Sequence, residues 1–243
     1  MPAYAPFIER VTQGQGEIDA GLTDTLGGVL MRGAWVDLKR LLADERARLE
    51  AAGVLFTEAF DPAEVQPGPE GVVWRTVQAR GVVYCDGYKS AQRGPFAYLP
   101  WQPAKGEAVS LRSNAPQKPF ILNREGWALP LGEGLWRTGT NWAREGLDEQ
   151  PTESQKEKLI RRFRSYFGQE VSVEVTAHVA GVRPCTSDNL PFLGTHPTEP
   201  STHLFNGLGP RGTVWAPTLA EEMAEYLVSG KPFRPDCDLR RFG

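Results

Sequence analysis

Two groups able to hold negative charge stand close together near the C-terminus. Arg183-Pro184 closes the run VSVEVTAHVAGVRP, and Gly207-Leu208-Gly209-Pro210-Arg211-Gly212 comes after a short apolar segment, His203 to Asn206, and opens into a helical pattern. An arginine offers a planar fork of donors that can grip a carboxylate bidentately. A helix N-terminus presents backbone N–H groups without intrahelical partners and about half a unit of positive charge. Together on neighbouring strands they suit a site that holds a carboxylate and stabilises negative charge on a second molecule. Each has a plainer reading. An arginine ending a strand is more commonly a surface ion pair, and a glycine loop before a helix can be only a tight connection. Asp188-Asn189 before Leu190-Pro191 is turn chemistry, so Asp188 is assigned to capping the turn rather than to acid–base work.

The glycine loop matches Gly-x-Gly-x-x-Gly between a strand and a helix, but the residues after it do not suit a dinucleotide turn. That turn needs a further parallel strand and an acidic residue about 20 positions on, whereas here the helix runs to Ser229 and gives way to a proline-containing tail. The same geometry suits another ligand. Glycines let backbone N–H groups approach a planar ring, and a reduced flavin carries negative charge along its N1–C2=O edge. On the loop alone, this reading and the tight connection stand level.

Other chemistries find little material. His178, His196 and His203 show no His-Glu-x-x-His spacing and no cluster with cysteine, so a zinc site is not expected. No Gly-x-Ser-x-Gly elbow occurs. Cys85, Cys185 and Cys237 are far apart and odd in number, which favours a reduced, cytoplasmic setting. A net charge of -3 gives no electrostatic reason to expect nucleic acid or an anionic membrane as partner. No apolar run approaches the ~20 residues that span a bilayer, and the first residues do not read as a secretory signal.

Helices and strands must position these groups, and most are legible in the pattern. Residues 1–33 are loop-like, with Gly14, Gly16, Gly21, Gly27 and Gly28 irregularly spaced and LGGVLMRG a short strand. Trp35, Leu38, Leu42 and Leu49 recur at helical spacing up to Gly53, and VLFTEAF after them reads as a strand. VVWRTV and VVYCDG are two more strands, the second closing on Gly87, which suits a backbone that passes close to a ligand or another element. GEAVSLR, PFILN, GWALPLG and LWRTGTNW read as antiparallel strands separated by turn residues. PTESQKEKLIRRFRSYFG is an amphipathic helix with Thr152 as N-cap, Leu159, Phe163 and Phe167 on one face and Gly168 as stop. The last helix, from Gly212, places Leu219, Met223, Tyr226 and Leu227 on its buried stripe and stops at Gly230. The predicted fold class is α/β (α+β). A partial α/β domain is built from both chain ends, 1–87 and 181–243, and a mixed, mainly antiparallel sheet domain spans 88–180.

GVRPCTSDNLPFLG and HLFNGLGPRGTVWAP with the closing helix resemble the C-terminal third of the D-amino-acid oxidase superfamily of FAD-dependent oxidoreductases, which includes glycine and sarcosine oxidases. GGVLMRGAWVDLKRLLADERARLEAAGV, VVYCDGYKS and LPLGEGLWRTGTNW extend the likeness through most of the chain. The resemblance implies FAD as cofactor and oxidation of the C–N bond of an amino acid or secondary amine by hydride transfer to the flavin, with no general base required. Arg183 corresponds to the arginine that binds the substrate carboxylate. Gly207, Leu208, Gly209, Arg211, Gly212 and Thr213 match the loop over the flavin pyrimidine, and Val65 stands where a backbone contact to adenine is made. Cys185 does not align with the family's flavin-attaching cysteines. Tyr88, Trp127 and Trp142 either line the pocket or pack within the sheet.

Members of this superfamily open with a strand, a Gly-x-Gly-x-x-Gly turn and a helix that hold the FAD pyrophosphate, and the matching residues here begin after that unit. The resemblance therefore implies a partial FAD-binding domain whose nucleotide-binding part is missing or is supplied in trans by a second polypeptide. A truncated reading, half of a split enzyme and a degenerate homologue all fit. The rival function is a non-catalytic module that binds a small carboxylate and has lost FAD.

Overall fold

The structure, a computed structural model, describes residues 2–13, 22–23 and 27–242. The loop-like reading of Gly14, Gly16 and Gly21 lies outside the described residues. The chain folds as two compact units, 1–36 with 105–181 and 37–104 with 182–243. This division departs from the expected one in two places, and burial explains both. Leu22 packs on the core of the first unit and the Thr23 N–H donates to the Tyr166 carbonyl at 2.8 Å, which draws the N-terminal segment to that unit. Phe96 and Leu99 share a buried cluster with Tyr84, Phe192 and Leu204, which draws 88–104 to the second.

In the first unit, β1 (Ile8–Gln13) and β2 (Gly27–Met31) form an antiparallel ribbon; β2 falls on the expected LGGVLMRG strand, and β1 is a strand where a loop was expected. Five further strands make one sheet: β7 (Ala104–Arg112), β8 (Leu122–Asn123), β9 (Trp127–Gly132), β10 (Leu135–Gly139) and β11 (Glu174–Arg183), in the order β11-β7-β10-β9-β8. The helix α2 (Glu153–Phe167) buries Leu159, Phe163, Tyr166 and Phe167 against Val109, Leu111, Ala128 and Trp136. Trp136 meets Phe163 and Phe167 edge-on, at 5.4 and 5.0 Å between ring centres. Fully burying one such aromatic side chain contributes about 1.5–3 kcal/mol, so this cluster holds the helix to the sheet.

The same face of β7 turns polar towards its start, where Lys105 and Glu107 are buried. Lys105 Nζ donates to Asp148 Oδ1 at 2.5 Å and to the Gln150 carbonyl at 2.6 Å. Glu107 accepts from the Thr152 amide at 2.8 Å and the Thr152 hydroxyl at 3.0 Å, and the ring of His178 lies 2.9 Å away without hydrogen-bond geometry. Thr152 is the N-cap residue as expected, but its hydroxyl makes no cap hydrogen bond and is spent on Glu107.

The second unit holds α1 (Leu38–Ala51), a meander of β3 (Val65–Gly68), β4 (Gly71–Trp74) and β5 (Val77–Ala79), and a three-stranded sheet ordered β12-β13-β6. In that sheet β13 (Thr202–Asn206) runs antiparallel to β12 (Phe192–Thr195) and parallel to β6 (Val82–Tyr84). Alternation along β12 sends Phe192 into one cluster with Leu204 and Tyr84, and Leu193 into another with Leu219 and Met223. The helix α3 (Gly212–Ser229) supplies those last two residues and ends on Gly230 at φ 73°.

Four elements differ from expectation. VVWRTV, read as one strand, turns at Arg75-Thr76, where Arg75 has φ 52°, and divides into β4 and β5 paired antiparallel. On α3, Leu219 and Met223 are buried, but Leu227 is exposed and Tyr226 only half-buried. The helix α1 forms where its periodicity places it yet buries no residue, with Leu38, Leu41 and Leu42 all exposed. VLFTEAF forms no strand, because among the described residues none pairs with it. Periodicity reports which face of an element is apolar; whether that face is covered depends on what packs against it.

Candidate functional site

The turn from β13 into α3 is held from below by Asn206, whose side chain is buried. Its Oδ1 accepts from the Gly207 amide at 2.8 Å, and its Nδ2 donates to the Gly87 carbonyl at 2.9 Å and to Ser90 Oγ at 3.1 Å. Gly87, at φ 65°, is required by its left-handed backbone and not by a close approach, since a Cβ there would meet nothing within 4 Å. Gly207 has φ +74°, and a Cβ there would stand 2.8 Å from Thr186 Cγ2 and 3.2 Å from the Phe192 amide, so only glycine fits. Gly209, at φ +55°, is required by conformation alone. Gly212 is not required, since its backbone is helical and a Cβ would meet Leu208 at an ordinary 3.7 Å.

From this turn a short 3-10 segment, Gly209–Arg211, leads into the 18-residue helix α3, and no side chain caps its start. The 3-10 turn supplies backbone acceptors ahead of α3, with the Arg211 amide on the Leu208 carbonyl at 3.3 Å, and no side chain neutralises the partial positive charge of the helix start. Beside it is a cavity of ≈ 340 Å³, walled by the loop Gly207–Arg211 on one side and by Cys185, Thr186 and Asn189 on the other. That volume falls at the lower end of the roughly 300–1,000 Å³ typical of small-molecule sites. Among the lining residues there is no carboxylate or imidazole, and the one formal charge is that of Arg211. Arg211 Nη2 donates to the Asn189 carbonyl at 2.7 Å, and its guanidinium lies 5.7 Å from the centre of the Trp215 ring.

The structure brings most of the anticipated loop to one cavity: Gly207, Leu208, Gly209 and Arg211 line it, while Gly212 and Thr213 form the first turn of α3. Arg183, the last residue of β11, is half-buried and is not among the lining residues. Its strand end is tied to the loop through the Gly209 amide, which donates to the Pro184 carbonyl at 3.2 Å. Burial lowers its pKa from the ordinary 12.5, an effect partly opposed by Cys185. Val65 opens β3 and lines a second cavity of ≈ 340 Å³ with Tyr84, Arg93 and Glu199. There burial, then Glu199 and Asp86, push the Tyr84 hydroxyl up to about 12.

Thr186 and Asn189 were not anticipated as lining residues. Asn189 has φ 61°, a left-handed conformation that asparagine tolerates. The Asp-Asn pair signals such a turn, but not what the turn faces. Asp188 does organise the turn: its Oδ1 accepts from the Leu190 amide at 3.0 Å and the Thr186 hydroxyl at 3.1 Å. Burial acts to raise its pKa, and the hydrogen bonds from Arg241 and the Leu190 amide outweigh it, so the carboxyl is held below its ordinary value.

The fold is one already seen in solved oxidases. Glycine oxidase from Geobacillus kaustophilus superposes with a TM-score of 0.78 at 22% identity, over 96% of this chain and 66% of that one. Iminodiacetate oxidase from Chelativorans sp. BNC1 gives 0.76 at 21% identity, over 94% and 66%. Residues 5–226 match the family described as FAD dependent oxidoreductase, and the chain belongs to that family. Among curated relatives, the tRNA 5-methylaminomethyl-2-thiouridine biosynthesis bifunctional protein MnmC of Burkholderia pseudomallei (strain 1710b) is 26% identical over 83% of this chain and 33% of its own length. The glycine oxidase of Pseudomonas aeruginosa is 28% identical over 55% and 37%. The chain thus spans about a third of the length of these curated relatives. Among the described residues no helix is long and apolar enough to cross a membrane.

FAD is the cofactor of this family, and the residues at the glycine loop fit its ring. A helix start without a side-chain cap and a lining whose one formal charge is positive suit a group that takes up negative charge, while Gly207 itself is fixed by Thr186 and Phe192.

Proposed function

We propose that this chain forms the flavin-ring and substrate-carboxylate part of an oxidoreductase that oxidises the C–N bond of a small amino acid or secondary amine. The observation that carries this reading is the glycine loop Gly207–Arg211, which lines the cavity and leads into a helix start with no side-chain cap. Bound FAD supplies the two-electron acceptor. The first turn of α3, Gly212 and Thr213, and the guanidinium of Arg211 set a positive potential where negative charge grows, and being fixed they need no rearrangement as it does so. Arg183 binds the substrate carboxylate, and its guanidinium stays protonated despite burial. No carboxylate or imidazole among the lining residues is placed to take a proton, which supports an amine that arrives already deprotonated.

The dinucleotide phosphates need a further helix N-terminus. We assign them to a strand–glycine–helix unit beyond these residues, in a second polypeptide or elsewhere in the protein, and we assign the adenine to the cavity at Val65. The exposed Leu38, Leu41 and Leu42 of α1 support such an added unit, since an apolar stripe of this kind ordinarily marks an interface.

The test is reconstitution. Protein passed through a desalting column after incubation with FAD should keep the visible flavin bands, and anaerobic addition of glycine, sarcosine or iminodiacetate should bleach them. Colourless protein that still binds glycolate in a calorimeter would instead establish the carboxylate-binding module without flavin.

A further inference from the structure

We propose that Arg241, in the C-terminal tail, is a positioning residue for the glycine-loop cavity, acting through Asp188 on the wall formed by Thr186 and Asn189. Its consequence for flavin binding rests on the function proposed above; the wall itself does not.

The tail is stitched to the sheet before it reaches the cavity. The Leu193 amide donates to the Cys237 carbonyl at 2.8 Å, and Leu193 and Asp238 form an isolated parallel bridge. Arg241 then turns inward. Its side chain is 15% exposed, against 74% for the neighbouring Arg240. Its guanidinium lies 5.0 Å from the Phe192 ring centre and makes a forked contact with Asp188, Nε to Oδ2 at 2.8 Å and Nη2 to Oδ1 at 3.3 Å. Nη2 also donates to the Leu190 carbonyl at 3.1 Å, which accepts from Thr186 Oγ1 at 2.9 Å as well.

Arg241 therefore holds the middle and the far end of the turn 186–190. Asp188 stands between the two residues that face the cavity, and Asn189 keeps a left-handed backbone while its carbonyl receives Arg211 from the opposite wall. A short turn with an unfavourable backbone opens locally unless its surroundings over-determine it. A planar fork on a carboxylate of restricted exposure is the contact suited to that. Arg241 also lies beyond residues 5–226, so the family match carries no information about it.

Cys185 reports on the wall without any ligand, because it lines the cavity and is only 2% exposed. Iodoacetamide labelling, read at Cys185 by peptide mass, should be faster by about tenfold in Arg241→Gln, the factor expected when one charge-assisted contact is lost. Asp188→Asn should do the same from the other side of the fork. Arg241→Lys, which keeps the charge and loses the fork, should recover part of the protection. Arg240→Gln should label at the wild-type rate. In FAD titrations the Arg241→Gln protein should bind about tenfold more weakly, with a shifted visible spectrum of the bound flavin. Wild-type labelling rates in both Arg241→Gln and Asp188→Asn would overturn the proposal, as would equal acceleration by Arg240→Gln. Should Arg241→Gln fail to fold by circular dichroism, Asp188→Asn decides. A wild-type protein that takes up no FAD would defeat the flavin reading and leave the labelling test intact.

Discussion

The amide of Gly209 donates to the carbonyl of Pro184 across 3.2 Å, joining the strand end that carries Arg183 to the loop that opens α3. On its other side the same segment receives the Gln102 amide at the Cys185 carbonyl, at 2.7 Å. The Arg-Pro pair and the glycine loop, separate in sequence, are thus neighbours through backbone contacts that involve no functional side chain.

The three glycines of the loop should respond differently to alanine. Gly207→Ala meets both a positive φ and a 2.8 Å contact with Thr186, and should lose about 2–4 kcal/mol in urea unfolding. Gly209→Ala meets only the positive φ and should lose about 1–2 kcal/mol. Gly212→Ala should stay within about 0.5 kcal/mol of wild type, since a Cβ there has room. Equal losses at all three positions would contradict this ordering.

Arg183→Ala should weaken binding of a small carboxylate such as glycolate by about 2–4 kcal/mol, the loss expected on removal of a partly buried charge partner. Calorimetric titration of the variant against wild type measures it. Undiminished affinity would remove Arg183 from the site and leave Arg211 as the cation to examine.

Glu107 should prove a structural carboxylate. Glu107→Ala leaves the Thr152 amide and hydroxyl without their acceptor and should cost about 3 kcal/mol in chemical denaturation. Glu107→Gln keeps an acceptor and should cost roughly half as much. A Glu107→Ala protein as stable as wild type would show that water replaces the carboxylate at the start of α2.

His203 sets an expectation for pH. Its ring is buried beside β6, with Nδ1 2.9 Å from Thr195 Oγ1, and burial lowers its pKa from 6.5. The folded state therefore favours the neutral ring. The stability this confers is complete above the unfolded pKa of 6.5 and is lost as pH falls from there towards the lower folded value. The unfolding midpoint should drop between neutral and mildly acidic pH, and His203→Gln should flatten that slope. An equally steep slope in the variant would assign it to other groups.

Much of this was readable along the chain. The helix 153–167 and α3 came from apolar spacing, with Gly168 and Gly230 as their stops, and the sheet strands β7 to β11 from short apolar runs between turn residues. Local steric rules carry such information, because a glycine at a left-handed position or an apolar stripe reveals itself within a few residues. The same rules revealed Asp188 as the centre of a turn and Gly207 as a position where backbone must approach something closely.

What no local rule contained was which surfaces meet. The alternation of β7 gave no hint that Glu107 would take the hydroxyl of Thr152, and the spacing of α1 could not show that its leucines stay exposed. The turn 186–190 owes its place to Arg241, a residue whose partner Asp188 is distant in sequence. Residue type and spacing determined the candidates for chemistry in this protein, since those depend on backbone conformation and charge close at hand. Tertiary structure decided which of them face a cavity, because burial and hydrogen-bond pairing are settled between segments that only folding brings together.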